Sequence, residues 1–86
     1  MITGDIGIII KNILEKRLEI GFHITEDLMT SPLTAPPFSL DAVRLYQLLM
    51  CVEEEFNVYF MPQEIVDGDF KTIWGIQNAI SEKIRL

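Results

Sequence analysis

Cysteine and histidine are almost missing from this chain, each occurring once, as Cys51 and His23. A single thiol can form neither an internal disulfide nor a cysteine-based metal cluster, so nothing points to an oxidising compartment and a reducing cytoplasm fits best. His23 has no second His or Cys at ligand spacing, which makes it a surface or loop-packing residue rather than a metal ligand. Long apolar runs are lacking too. Ile8-Ile9-Ile10 is too short for a signal-peptide core, follows Asp5 instead of positive charge and has no small-residue cleavage site. No segment approaches the roughly 18 uninterrupted apolar residues of a transmembrane helix, so neither secretion nor membrane association is expected. Basic residues are scarce, seven against thirteen acids for a net charge of −6. That balance opposes contact with phosphate backbones and excludes nucleic acid as the expected partner. Metal-ligand spacing, a phosphate loop and a paired nucleophile and base are all missing from the sequence, so no enzymatic role, no catalytic residue and no metal site are expected.

What remains is a small apolar-rich chain of 86 residues, 49% apolar and 23% charged, which describes one compact domain spanning residues 1–86. A chain of this length buries roughly 60–65% of its unfolded surface, enough for a thin core and little enclosed volume. Internal repeats and low-complexity tracts are absent.

Apolar spacing predicts an all-α fold. From Asp5 to about Glu19, residues Ile6, Ile9, Ile10, Ile13, Leu14 and Leu18 recur at three- and four-residue steps, an amphipathic first helix that Gly21 is expected to stop. Between Gly21 and Leu40 the periodicity lapses around Ser31-Pro32 and Pro36-Pro37, giving a long ordered loop anchored by Phe22, Ile24, Leu28, Leu33 and Phe38. Asp41 is a good N-cap, and Leu45, Leu48, Leu49, Val52 and Phe56 form the strongest helical pattern in the chain, ended by Asn57. Phe56, Val58 and Phe60 then alternate in a short extended stretch that sends two aromatics into the core. A brief turn of helix, about Pro62 to Val66, is closed by Asp67-Gly68-Asp69. Thr72 caps a last helix carrying Ile73, Ile76, Ile80 and Ile84, inside which Gly75 is expected to permit a close helix approach.

The motif Phe38-Ser39-Leu40-Asp41-Ala42-Val43, followed without a gap by Leu48 and Val52-Glu53-Glu54-Glu55-Phe56, resembles the Leu-Gly-Leu-Asp-Ser-Leu segment and the second helix of acyl and peptidyl carrier proteins. Pro62-Gln63-Glu64 is similar to that family's entry into helix III, and Thr72-Ile73 to its opening of helix IV. The resemblance implies a four-helix bundle of acyl carrier protein type, with a long loop between helices I and II and a short helix III. In that family the serine opening helix II is esterified with phosphopantetheine. Here the position is Ala42, between Asp41 and Val43, and its methyl group offers no oxygen for a phosphodiester. No cofactor is therefore expected. A rival register places the attachment on Ser39, with Phe38 where the motif has Asp; phosphopantetheine would be the cofactor if that register, or a native serine replaced at Ala42, held. Pro36-Pro37-Phe38 and Arg44 depart from the family together, which favours natural divergence over one engineered change. The chain is also similar to acyl carrier-related proteins of bacterial peptide-maturation clusters.

The resemblance implies a monomeric, noncatalytic protein that docks with biosynthetic or peptide-processing enzymes through Arg44, Tyr46 and Gln47 near the start of helix II. Glu53-Glu54-Glu55 and Asp67 with Asp69 are either a solvated helix side or an attractor for a basic docking face. Tyr46 and Trp74 mark either a partner-binding surface, where aromatics are enriched, or packing in the core or at its boundary, the commoner use, and Cys51 is expected to be a partly buried, inert thiol.

Overall fold

Isoleucine at positions 6, 10 and 13 and leucine at 14 lie on one side of a 3.6-residue repeat, and these side chains are the ones that leave water. The computed structural model describes residues 2–67 and 70–84, with side chains from 6–65 and 70–84. Its first helix, α1, runs Ile2–Asn12 and passes into one π-helical turn over Ile13–Arg17. The Leu18 amide donates to the Ile13 carbonyl at 3.0 Å, and the Ile20 amide to Leu14 at 3.2 Å. The stop comes from Glu19, at φ 52, and not from Gly21 as the sequence predicts; Gly21, at φ 91, completes the reversal two residues later. A non-glycine residue pays about 1–2 kcal/mol for that conformation, which burial of Leu18 on one side and partial burial of Ile20 on the other offsets.

The segment after Gly21 is the long ordered loop that its sequence predicts, with one turn of regular structure the sequence does not show. Glu26–Thr30 forms a 3₁₀ helix, whose entry is braced by the Thr25 hydroxyl donating to Asp27 at 2.5 Å. Ile24, Leu33, Phe38 and Leu40 are buried, and the Phe22 and Phe38 rings meet at 5.5 Å, so the loop is laid down by the apolar anchors its sequence supplies. Its backbone is tied near its start and again past its middle: the Ile24 amide donates to the Glu15 carboxylate at 2.8 Å, and the Leu33 amide to the Lys71 carbonyl at 2.7 Å.

Helix α2 spans Ala42–Phe56, capped by Asp41 as its sequence predicts, the Asp41 carboxylate accepting the Arg44 amide at 2.9 Å. Leu48, Leu49 and Val52 are buried, and Asn57 ends the helix at φ 54, a left-handed position that asparagine tolerates. In the following stretch Phe60 is buried edge-on to Phe70 at 5.0 Å, while Phe56 is only half-buried at the margin of the core. Helix α3, Pro62–Asp67, starts with proline at its first position and with Glu64 reaching back to the Met61 amide at 2.7 Å, half of a capping box. Of the turn predicted to close α3, Gly68 and Asp69 lie outside the described residues.

Helix α4, Ile73–Ile84, is capped by the Thr72 hydroxyl, which accepts the Gly75 amide at 2.9 Å. It buries Ile73, Gly75, Ile76 and Ile80 and leaves Ile84 exposed. Its main packing partner is α1. At Gly7 on α1 an added Cβ would lie 2.6 Å from the Gln77 side-chain oxygen, so this glycine lets the Gln77 side chain of α4 come close to α1. The described residues are helical without a strand, and the Cα radius of gyration of 11.9 Å is the ~12 Å of a compact chain of this length.

The cap and the core make separable contributions. Asp41→Ala should cost about 1 kcal/mol, and Asp41→Ser much less. Leu48→Ala, at a fully buried site, should cost about 2–5 kcal/mol. Urea denaturation measures all three, and an Asp41→Ala penalty near zero would mean that α2 does not depend on its cap.

Candidate docking face along the second helix

The start of α2 fixes the geometry of the region singled out in the sequence. Because Asp41 is the cap, Ala42 is the first helical residue, exposed, with only a methyl group to offer. Val43 follows at 65% exposure. Ser39 lies two residues before the cap, outside the helix and exposed, at φ 48 with its amide bonded to the Ala35 carbonyl at 2.9 Å. Its hydroxyl therefore does not open α2.

Arg44 does not stand free on the face where the sequence reading puts it. It is half-buried, and its guanidinium donates to the Leu18 carbonyl at the end of the π turn. A cation there also meets the negative end of the first helix, which stabilises both. Tyr46 and Gln47 are exposed as expected of a docking surface. Of the two readings of Tyr46 and Trp74, partner surface or packing in the core or at its boundary, their exposures of 63% and 51% do not fit the second. The physical reason is positional: each sits at the flank of its helix, beside the buried Leu48–Val52 or Ile73–Ile80 stripe and not on it.

The acids at the end of α2 have mostly local work. Glu53 accepts the Phe60 amide at 2.9 Å, which folds residues 57–60 back against the helix. Glu54 pairs with Arg17 at 3.4 Å across an exposed surface, worth little in stability. Glu55 is exposed. The side chains of Asp67 and Asp69 lie outside the described residues.

Between α2 and α3 runs a groove of 420 Å³, walled by Tyr46, Met50, Tyr59 and Ile65 and floored by Leu49 and Phe60. Tyr59 is 67% exposed, and Met61, next to it in the chain beyond Phe60, is 59% exposed. Sequence reasoning missed this groove, although the alternation that sends Phe60 inward also turns Tyr59 and Met61 outward. Lys83 binds Glu64 at 2.8 Å and lies 5.4 Å from the centre of the Phe60 ring. The bond from Lys83, with a second from the Met61 amide, holds the Glu64 carboxyl below its ordinary 4.5.

Elsewhere, His23 is exposed 3.3 Å from Glu15, and Cys51 is a half-buried free thiol. Among the described residues no group of three or more His, Cys, Asp or Glu is gathered as for a metal ion, and no helix is long and apolar enough to cross a membrane. No family model, no curated protein and no solved structure matches the chain.

The Glu64 pair makes a pH-dependent contribution of definite sign. A carboxyl lowered in the folded state stabilises above its unfolded value near 4.5, and that stabilisation is lost as pH falls through the lower folded value. Lys83→Met should move the Glu64 carboxyl back up toward 4.5 in an NMR titration. The stability gap between variant and parent should be widest above 4.5 and close in more acidic solution. An unmoved Glu64 titration would show that Lys83 is not the cause.

Proposed function

We propose that this chain is a carrier-protein-like docking protein that meets biosynthetic or peptide-processing enzymes without a covalent phosphopantetheine arm. The observation that carries the reading is the helix opening at Asp41, where the residue presented to solvent is Ala42 in place of a nucleophile. The order of elements, a long helix, a long tethered loop, the capped helix, a short helix and a final helix, supports an acyl carrier protein-type bundle. Exposure of Val43, Tyr46 and Gln47 on the first turns of α2 supports docking through that face. Arg44 is better suited to holding the face in position than to contacting a partner, because its guanidinium is already engaged. The proposed protein is noncatalytic, monomeric and cytoplasmic.

The alternative is a working carrier with the arm on Ser39, and the exposure of that side chain is the one observation in its favour. Mass spectrometry after incubation with coenzyme A and a broad-specificity phosphopantetheinyl transferase separates the two. The parent chain should gain no mass, and Ala42→Ser should gain one phosphopantetheine mapped to residue 42. An arm mapped to Ser39 in the parent would establish the working carrier instead. An unmodified Ala42→Ser variant that remains helical would remove the case for carrier descent.

A further inference from the structure

We propose that the groove between α2 and α3 receives a basic amphipathic helix from another protein. The helix would insert the apolar side chains of one face between Tyr46, Met50 and Tyr59 and leave its cations toward the acidic surroundings. The inference rests on the groove and its charge, not on carrier descent, so its failure and the failure of the reading above are read in different experiments.

Apolar exposure comes first. Tyr46, Met50 and Tyr59 are large and exposed, and they gather around one groove instead of being scattered singly. Clusters of this kind on a small domain mark interaction surfaces. Shape narrows the occupant. At 420 Å³ the groove cannot swallow a helix about 10–12 Å across, but it can take side chains spaced along one helical face. Met50 suits that use, since an unbranched thioether adapts to irregular partners.

Charge selects the sign. Among the described residues the groove is lined by Glu53 and by no lysine or arginine. The neighbouring cations are committed within the chain: Lys83 to Glu64, Arg17 to Glu54 and Arg44 to the Leu18 carbonyl. With a net charge of −6, the protein draws a cationic segment toward the groove, whereas a second copy would bring like charge against like. The other exposed aromatic, Trp74, lines a separate groove with Lys11 and Glu26, where the charges balance and select no partner.

Trp74 is the only tryptophan and lies outside the α2–α3 groove, so it serves as an internal control. The probe is a fluorescein-labelled leucine–lysine peptide about five turns long, with leucine at helical spacing, compared with a scrambled isomer and a leucine–glutamate counterpart. Fluorescence anisotropy should show saturable binding of the amphipathic basic peptide alone, with Trp74 emission unchanged. The double variant Met50→Ala/Tyr59→Ala, altered only at exposed positions and checked for helicity, should weaken binding roughly tenfold or more, as loss of anchoring contacts does. Ile8→Ala, on the Trp74 groove, should leave it unchanged. Equal affinity for the scrambled isomer, undiminished affinity in the double variant, no binding at all, or a shift in Trp74 emission would each overturn the proposal.

Discussion

One residue, Arg44, joins the two halves of this small domain. Its backbone amide is the donor that the Asp41 carboxylate caps, and its guanidinium reaches the Leu18 carbonyl where the first helix runs out. The start of α2 and the end of the first helix are thereby held through a single peptide unit and its side chain. Both bonds involve a charged group, which makes each stronger than a neutral pair. The intervening residues 19–41 are a closed loop whose ends are fixed together, and that is what allows so long a connection to lie in one conformation on a thin core.

The same chemistry recurs where the chain turns. Glu15 accepts the Ile24 amide, Glu53 the Phe60 amide and Glu64 the Met61 amide. With one cysteine in the chain, no disulfide is available to fasten these connections, and carboxylates bonded to backbone amides do so instead. This changes the meaning of the acidic surplus. Several of the thirteen acids act on the fold at single amides. The field that remains is a consequence of how the turns are made as well as a surface for partners.

Much of the architecture was legible from spacing. The stripe from Leu45 to Phe56, the cap at Asp41, the left-handed Asn57 and the Thr72 cap all follow from local rules, because each is decided within a few residues. The π turn, the left-handed Glu19 and the 3₁₀ helix at Glu26–Thr30 were not legible, since each is a compromise between local preference and burial of residues such as Leu18 and Ile24. Arg44 is the clearest case. Its place on α2 could be read from the sequence, but its partner lies 26 residues away on another element. Tyr46 and Trp74 were legible only as alternatives, surface or core boundary, because aromatic identity suggests burial whereas position on the helix decides it, and both sit off the buried stripe.

An exposed methyl group at the start of α2 also bears on where affinity can come from. A covalent arm raises the local concentration of whatever it carries, so a tethered protein can work with weak surface contacts. On the proposed reading of a protein without the arm, selectivity would reside in the surface itself, in apolar groups that are wet in the free protein and dry in a complex. Tyr46, Met50 and Tyr59 are the exposed apolar groups of the groove that would serve that proposal. Glu53 links the two requirements, because the carboxylate that folds residues 57–60 back also sets the wall on which Tyr59 stands. The groove is thus a product of the same carboxylate-to-amide bonding that holds the loops, and a change that loosens the turn at Glu53 alters the groove along with the fold.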